Sequence, residues 1–353
     1  MKNNDKWFDA MRSIAIVALI VAIGMVTTAC RSDDGGDGDD SMTWTRVDGS
    51  FPYMYAMAWG NGRFVAGGSE WLDFDMLGYS PDGVTWTSVA DAKSLFGDDY
   101  NYITAIAWGN NRFVAGTSNG KMAYSLNGTT WTAVQDSTFG DHGRVNAIAW
   151  GNGKFVAVGK GETDDGSETY KIAYSLNGET WIAVTSSSPL APLLTIAYGG
   201  DKFVVGGEKG YVVYSTDGVT NWGWTSGSYF VGRPFGYDSV NAIAWGNGTF
   251  VAVGDDEKMA VSTDGVHWTP VSSPFRLRSD IKIIAWGNNK FVAGGVLEGE
   301  GSVRTGEMAY SSNGEKWTII TDTANTQFGA IAWGNGKFVA AALHPPAISY
   351  STD

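Results

Sequence analysis

The sequence predicts an all-β fold, a seven-bladed β-propeller with four antiparallel strands in each blade. Three observations support this prediction. An Ala-Trp-Gly-Asn-Gly phrase, with close variants, recurs seven times at intervals of 41 to 49 residues, which is the length of a four-stranded blade. The 353 residues include 48 glycines and 16 tryptophans, a composition that suits many tight turns and many short strands with large apolar side chains. Finally, the seventh copy breaks off early, and a strand near the beginning of the chain can complete it.

Each copy divides into four short strands, which we call a to d in chain order. Strand a ends at an aromatic residue, the anchor, and strand b carries a phenylalanine. Both strands are apolar on both faces, whereas a strand of a half-exposed sheet would alternate apolar and polar residues. We therefore expect neighbouring blades to cover strands a and b on both sides. The anchors are Trp59, Trp108, Trp150, Tyr198, Trp245, Trp286 and Trp333.

The spacing within the copies predicts two different faces of the disc. The anchor precedes the strand-b phenylalanine by five residues in all seven copies, and the residue before the strand-c serine precedes the strand-d tryptophan by seven residues in five of six. The exception is Tyr214 to Trp222, and the b–c loops and d–a linkers vary widely. In an antiparallel meander these two kinds of connection lie at one end and the short turns at the other. We therefore expect a fixed face of minimal turns and a variable face that carries function.

The ends of the chain are expected to close the ring. The spacing calls for a tryptophan seven residues after Tyr350, beyond the last residue, Asp353. Residues Ser41–Val47 read as an isolated strand d with Trp44 in the matching place. The predicted propeller therefore spans residues 41–353, with 41–47 completing blade seven. Closure removes the open edges that would otherwise invite aggregation.

The c–d phrase resembles the Asp-box (BNR) repeat of sialidases and other β-propellers. The pattern of serine, Asp, Gly and an aromatic residue is matched by Ser80, Asp82, Gly83 and Trp86, and again by Ser262, Asp264, Gly265 and Trp268. The turn here is one residue shorter than the usual pattern, and three copies carry Asn127, Asn177 and Asn313 in place of Asp. The resemblance implies a propeller, with the motif serving structure on the fixed face.

The N-terminal residues predict export and lipid anchoring. Residues 1–29 combine basic residues (Lys2, Lys6, Arg12) with an apolar run, as a signal peptide does. The run ends at Cys30, the only cysteine, in a stretch that resembles the lipobox of bacterial lipoproteins, although Thr27 departs from the usual Leu, Val or Ile. A plain secretory signal with an incidental cysteine is the alternative. Residues 30–40, rich in Asp and Gly, read as a solvated tether.

These features set expectations for location and partners. We expect a protein attached to a membrane through lipidated Cys30, on the periplasmic side of the outer membrane or at the cell surface. The net charge of −13 should repel phosphate backbones, so nucleic acid is not expected as a partner. A single cysteine allows no internal disulfide. No motif implies a cofactor or a metal site, and we expect a monomer.

The variable loops are rich in aromatic residues interleaved with aspartates, a combination that suits a glycan or an envelope protein as ligand. We therefore predict a binding or assembly module. About half of these rings are expected to pin loops onto the disc instead of meeting a ligand. The candidate ligand-binding residues are Trp71, Tyr100, Phe139, Tyr229, Phe230, Arg233, Tyr237, Phe275, Arg276 and Arg278.

A sialidase-like glycoside hydrolase is the alternative function. The resemblance to sialidases implies three arginines that bind a carboxylate, a tyrosine–glutamate nucleophile and an aspartate acid. Arg233, Arg276 and Arg278 lie in d–a linkers, Arg304 in a b–c loop and Arg144 just before a strand a. A fold shared with an enzyme does not transfer its site, and no catalytic residue is assigned.

Overall fold

The computed structural model contains 28 strands in seven sheets of four strands each, which confirms the predicted seven-bladed propeller. It describes residues 42–47, 53–69, 75–90, 92–97, 101–162, 168–185, 192–225, 235–298, 304–321, 327–344 and 346–351. Among the described residues, one short α-helix, α1 (Ala92–Phe96), lies in the linker between blades one and two, and a 3-10 turn (Glu208–Gly210) lies in the b–c loop of blade four. The predicted signal peptide and tether, including Cys30, lie outside the described residues.

All four strands of each blade follow the predicted antiparallel order a-b-c-d. In blades one to seven, strand a is β2 (Met54–Gly60), β6 (Ile103–Gly109), β10 (Arg144–Gly151), β14 (Leu193–Gly199), β18 (Val240–Gly246), β22 (Ser279–Gly287) and β26 (Gln327–Gly334). Strand b is β3 (Arg63–Gly68), β7 (Arg112–Thr117), β11 (Lys154–Glu162), β15 (Lys202–Gly207), β19 (Thr249–Gly254), β23 (Lys290–Glu298) and β27 (Lys337–His344). Strand c is β4 (Leu77–Ser80), β8 (Met122–Ser125), β12 (Glu168–Ser175), β16 (Val212–Ser215), β20 (Met259–Ser262), β24 (Arg304–Ser311) and β28 (Pro346–Ser351). Strand d is β5 (Thr87–Ser88), β9 (Thr132–Ala133), β13 (Ile182–Ala183), β17 (Gly223–Trp224), β21 (Thr269–Pro270), β25 (Thr318–Ile320) and, in blade seven, β1 (Trp44–Val47).

The N-terminal strand closes the ring as predicted. Strand β1 pairs antiparallel with β28, with Trp44 opposite Ser351 and Thr45 opposite Tyr350. The Trp44 side chain packs on the buried cluster between blades six and seven, which includes Phe328. Strand a of each blade contacts strand a of both neighbours, and β26 contacts β2, so the seven inner strands surround a central channel.

The hydrophobic core consists of seven buried clusters, one at each boundary between blades. Each cluster combines the strand-b phenylalanine of one blade with apolar side chains, mainly alanine, valine and isoleucine, of the preceding blade. The boundary between blades seven and one, for example, buries Phe64 beside Val339 and Ile348. This arrangement explains why strands a and b are apolar on both faces, because each blade is sandwiched between two others.

The a–b turns of the fixed face are two-residue hairpins whose residues have positive φ, such as Asn61 at 47° and Gly62 at 73°. Asparagine and glycine tolerate this conformation, which the hairpin requires. The asparagine side chains also bridge blades: in five turns Nδ2 donates to a carbonyl in the c–d turn of the following blade. These bonds run from Asn61 to Leu126, Asn110 to Leu176, Asn152 to Thr216, Asn247 to Ser312 and Asn335 to Pro81.

The six c–d turns among the described residues share one hydrogen-bond network. In blade one, Ser80 Oγ donates to Asp82 Oδ1 at 2.9 Å and accepts from the Gly83 N–H at 2.8 Å. Asp82 Oδ1 also accepts from the N–H groups of Val84 and Thr85. Asparagine serves equally well at this position in three blades, because only its carbonyl oxygen is used. These polar groups therefore satisfy one another within the turn.

The fourth blade departs from the pattern, as its longer spacing suggests. In five blades the strand-d tryptophan donates its Nε1–H to the glycine carbonyl of the turn, as Trp86 does to Gly83 at 3.2 Å. The Trp222 Nε1 atom is buried and has no such bond. Asn221, with φ of 53°, is the extra residue that moves the tryptophan along the strand.

Candidate functional site

Every strand a carries a β-bulge at the same place, four residues before the anchor. The register with strand b shifts there in all seven blades. A bulge turns one side chain away from the regular alternation, and bulges are common beside functional sites. The residues at this position, which we call the bulge ring, are Tyr55, Thr104, Asn146, Leu194, Asn241, Lys282 and Gly329.

The bulge ring surrounds the mouth of the central channel. All seven of its residues line a cavity of about 130 Å³, whose deeper wall is formed by alanine and isoleucine side chains such as Ile106, Ile243 and Ile331. Strand a starts at the d–a linker, so the ring lies toward the variable face. A cavity of this size holds a few water molecules or one side chain. The mouth can therefore accept a protruding group of a larger ligand.

Three polar residues of the bulge ring also join neighbouring blades. Asn146 Nδ2 donates to the Leu193 carbonyl of the next blade at 2.7 Å, and Asn241 Nδ2 donates to the Ile281 carbonyl at 3.1 Å. Thr104 Oγ1 donates to the Val145 carbonyl in the same way. These side chains thus hold the ring together, and their orientation is set by the scaffold.

The mouth is charged over blades five and six. Lys282 Nζ lies 2.7 Å from Asp255 Oδ1 and 3.1 Å from Asp280 Oδ2, and Asn241 Nδ2 donates to Asp255 Oδ1 at 2.8 Å. Burial is the largest single effect on Asp255 and raises the pKa of its carboxyl. The hydrogen bonds from Asn241 and Lys282 together outweigh burial, so the pKa of Asp255 lies below its ordinary value. This carboxylate is therefore ionised at neutral pH.

The mouth is aromatic and basic over blades one to three. The rings of Tyr55 and Tyr102 are 5.2 Å apart, and Arg144 Nη1 donates to the Tyr102 hydroxyl at 2.8 Å. Arg144 Nε also donates to Asn146 Oδ1 at 2.6 Å. Burial raises the pKa of Tyr55, although its hydrogen bond with Ser69 opposes that effect. The Tyr55 hydroxyl consequently stays protonated at neutral pH.

Buried phenylalanines hold down four d–a linkers. Phe96, Phe139, Phe235 and Phe275 are each almost wholly buried and belong to the clusters between blades. Phe139 and Phe275 were candidate ligand contacts from the sequence, and in this structure their rings cannot touch a ligand on the surface. An apolar ring in a linker gains more by packing under the loop than by remaining in water. Phe235 plays the same part and was not singled out.

The residues that follow three of these phenylalanines form linker tips on the variable face: 140–143, 236–239 and 276–279. Their exposed side chains differ in chemistry. Tyr237 is 83% exposed in the second tip and Leu277 is 79% exposed in the third. The first tip carries Asp141, which pairs with Lys121. A buried phenylalanine therefore supports each tip, while the exposed residues differ from one tip to the next.

The predicted arginines are placed separately. Arg276 is exposed and its Nε contacts Glu307 Oε1 at 2.8 Å, while the Arg278 backbone N–H donates to Glu257 Oε2 at 2.7 Å. Arg144 lies on the opposite side of the mouth, beside Tyr102. The remaining candidates, Trp71, Tyr100, Tyr229, Phe230 and Arg233, lie outside the described residues.

Within the described ranges, no group of three or more His, Cys, Asp or Glu side chains is arranged to hold a metal ion. In the same part of the chain, no helix has the length and apolar character needed to cross a bilayer. The polar groups at the mouth instead bond to one another and to backbone carbonyls.

Residues 185–329 match the family model described as the DUF6242 beta propeller domain. The matched segment begins just after β13, the last strand of blade three, and ends within β26, the first strand of blade seven. No curated protein matches the chain. The family comparison therefore supports the fold from sequence, independently of the strand geometry.

Solved structures resemble the chain over much of its length. YCF48 bound to D1 peptide has a TM-score of 0.61 at 15% identity, covering 91% of this chain and 98% of that one. YCF48 from Cyanidioschyzon merolae has a TM-score of 0.59 at 12% identity, covering 87% and 98%. The GH74 xyloglucanase from Xanthomonas campestris has a TM-score of 0.53 at 14% identity, covering 71% of this chain and 43% of the enzyme. At such identities the similarity shows the propeller fold alone.

Proposed function

We propose that this protein is a lipid-anchored, extracytoplasmic binding or assembly module whose glycan or protein ligand binds on the variable face. The observation that carries the proposal is the bulge ring. Seven equivalent bulges present a different set of side chains at one channel mouth, while the anchors and turns around them hardly change. Variation concentrated at one rigidly supported position is what a recognition surface needs.

The linker tips extend this surface outward. Tyr237 and Leu277 stand exposed around the mouth, and aromatic residues with arginine are the commonest anchors of binding interfaces. The fixed face lacks comparable room for variation, because its c–d turns use their polar groups internally. We assign these turns the structural role that their resemblance to the Asp-box repeat implies.

The anchoring part of the proposal rests on the N-terminal sequence. A basic start, a short apolar run and Cys30 in a lipobox-like setting support lipidation at that thiol, and residues 31–40 would then hold the propeller away from the membrane. Replacing Cys30 with Ser should release the protein from the membrane fraction and abolish incorporation of labelled fatty acid. Retention of the label by Cys30→Ser would contradict this anchor.

Binding is preferred over hydrolysis because the described arginines do not converge. Arg276 is engaged with Glu307, and Arg144 lies across the mouth with Tyr102. YCF48, one of the similar structures, has been solved with D1 peptide bound, so the fold is compatible with a peptide ligand in that protein. A fluorogenic sialoside assay tests the alternative directly: turnover that Arg276→Ala abolishes would overturn the preference for binding.

The test of the binding role compares the two faces. The full-length protein is applied to a glycan array and to cross-linking in envelope extract, alongside the variable-face variants Tyr55→Ala and Tyr237→Ala. Leu126→Ala, at an exposed leucine of the fixed face, is the matched control. We expect at least one variable-face variant to weaken ligand retention about fivefold or more, as loss of an interface hot spot does, while the control retains it. The proposal is refuted if both variable-face variants retain the ligand as well as the unchanged protein does, whether or not the control weakens retention.

A further inference from the structure

Two linker tips, 236–239 and 276–279, form one continuous surface over blades four to six. The b–c loop of blade five, residues 255–258, lies between them and bonds to both. The Asp255 N–H donates to the Ser239 carbonyl at 3.1 Å, and the Glu257 N–H donates to the Ser279 carbonyl at 2.6 Å. We call these three segments the acidic platform. Backbone hydrogen bonds on both sides fix their relative position.

The platform presents two large apolar side chains to solvent, Tyr237 and Leu277, one in each tip. Both tips begin directly after a buried phenylalanine, Phe235 or Phe275, so their backbones are anchored from below. Single exposed apolar residues are ordinary on protein surfaces. Here two of them stand on adjacent anchored tips, an arrangement that lowers the entropy lost on binding a partner.

The charges of the platform and its edge are mainly negative. Six carboxylates, those of Asp238, Asp255, Asp256, Glu257, Asp280 and Glu307, face four cations, Lys258, Lys282, Arg276 and Arg278. The ion pairs leave an excess of two negative charges in a chain whose net charge is already −13. Burial raises the pKa of Asp238, and the nearby carboxylates of Asp256, Asp255 and Asp280 raise it further against the effect of Lys258. A cation placed here would relieve that repulsion.

We propose that the acidic platform docks a basic protein segment, with apolar side chains of the segment against Tyr237 and Leu277 and its lysine or arginine side chains against the surrounding carboxylates. This inference rests on the proposed function, because the platform belongs to the variable face. Charge complementarity selects this occupant: an anionic glycan or an anionic lipid surface would be repelled. Leu277 also offers a sugar hydroxyl no hydrogen-bonding group.

The experiment uses the full-length protein in detergent and two fluorescein-labelled peptides. One contains three copies of Lys-Leu-Ser-Gly, and the other contains three copies of Glu-Leu-Ser-Gly. Fluorescence anisotropy measures Kd for each. We expect saturable binding of the lysine peptide only, weakening as salt is raised because the attraction is screened. Absence of binding by the lysine peptide, or equal binding of both peptides, would overturn the inference.

Variants locate the site. Tyr237→Ser, Leu277→Ser and Asp238→Asn should each raise Kd for the lysine peptide by about fivefold or more. The matched controls lie on the fixed face: Leu176→Ser removes a leucine that is 62% exposed, and Asp201→Asn removes one carboxylate at a turn position where the repeats carry Asn or Gly. Unchanged Kd in all three platform variants would place the binding elsewhere and refute the inference.

The outcomes separate this inference from the proposed function. If a glycan or an acidic segment binds instead and Tyr55→Ala weakens it, the platform assignment fails while the variable face remains the binding surface. If ligand binding responds only to Leu126→Ala or Leu176→Ser, both proposals fail together. Circular dichroism of each variant, compared with the unchanged protein, establishes that the fold is retained before Kd is interpreted.

Discussion

Gly334 of blade seven lies directly against the indole ring of Trp59 in blade one: a β-carbon placed on Gly334 would be 2.3 Å from Cγ and Cδ2 of that ring. The same relationship links every blade to the next, since the glycine after each anchor meets the following anchor. The pairs are Gly60–Trp108, Gly109–Trp150, Gly151–Tyr198, Gly199–Trp245, Gly246–Trp286, Gly287–Trp333 and Gly334–Trp59. The Trp-Gly phrase of the repeat is therefore an inter-blade contact, and its seventh member is part of closure.

Gly334→Ala should destabilise the protein because the added methyl group forces Trp59 to move. We expect a loss of about 2 to 4 kcal/mol in the free energy of unfolding, from overpacking of a well-packed site. Gly336→Ala is the control, since it has φ of 74° but no atom within 4 Å of the added carbon. That change should cost only the backbone strain of about 1 to 2 kcal/mol. Chemical denaturation measures both, and equal losses would refute the packing argument.

Trp44→Ala should destabilise the closing blade. Trp44 packs on the cluster between blades six and seven, and its strand pairs with β28. Removing so large a ring from a packed site should cost about 3 kcal/mol and lower the melting temperature. Trp224→Ala, a change at a more exposed strand-d tryptophan in blade four, should cost less. A Trp44→Ala protein with an unchanged melting temperature would count against closure by β1.

Two neighbouring serines test the c–d turn. Ser311 is buried and its Oγ accepts from the Gly314 N–H at 2.8 Å, whereas Ser312 is exposed. Ser311→Ala leaves the glycine N–H without an acceptor and should cost about 1 to 3 kcal/mol. Ser312→Ala removes no such bond and should change stability by less than about 0.5 kcal/mol. Urea titration measures the unfolding midpoint of each variant. Similar midpoints would contradict a stabilising role for the hydrogen-bond network of the c–d turn.

The c–d turns that contain aspartate should make the free energy of unfolding depend on pH in the acidic range. For Asp82 and Asp217, burial is the largest effect and raises the pKa, but the hydrogen bonds donated by the turn outweigh it and leave both pKa values below the ordinary 3.8. A carboxyl with a lowered folded pKa stabilises the fold fully above 3.8 and loses that contribution as the pH falls below it. As the pH is lowered from 4 to 2, we expect the free energy of unfolding to fall less in the double variant Asp82→Asn, Asp217→Asn than in the unchanged protein.

The urea midpoint across that pH range is the measurement. At pH 7 the double variant should be somewhat less stable than the unchanged protein: asparagine accepts the same backbone bonds, as in the turns of Asn127, Asn177 and Asn313, but cannot accept the hydrogen bond that Thr220 Oγ1 donates to Asp217 Oδ2. Parallel midpoint curves for the two proteins from pH 5 to 2 would show that these carboxylates do not contribute as argued.

The blades and their closure could be predicted because short, invariant spacings report local geometry. The four residues between Trp59 and Phe64 leave room only for a two-residue hairpin, and the strand that contains Tyr350 needs a partner, which the strand of Trp44 supplies. The bulge ring could not be predicted from one copy, because a bulge depends on the register of two strands. A signal exists across copies: the fourth residue before each anchor changes from Tyr55 to Lys282 to Gly329, while its two neighbours in sequence are apolar everywhere except at Thr195.

The site was predicted less well because a loop aromatic can face either way. Phe139 and Phe275 looked like ligand contacts, yet each is followed by a tip and packs beneath it. Tyr237, with the same loop setting in the sequence, is exposed. The difference arises from whether a neighbouring blade offers an apolar recess, which is a property of the assembled ring. Sequence composition identifies the face but does not separate supports from contacts.

Pairing of β1 with β28 closes the ring and also constrains the order in which the blades can fold. The two strands lie nearly a full chain length apart in sequence, so bringing them together carries a high loop-closure entropy and gives the fold a high contact order. Blades one to six contain all four of their strands in consecutive order and can assemble locally. We therefore expect pairing of β1 with β28 to occur last, closing the ring of blades, and to limit the rate of refolding.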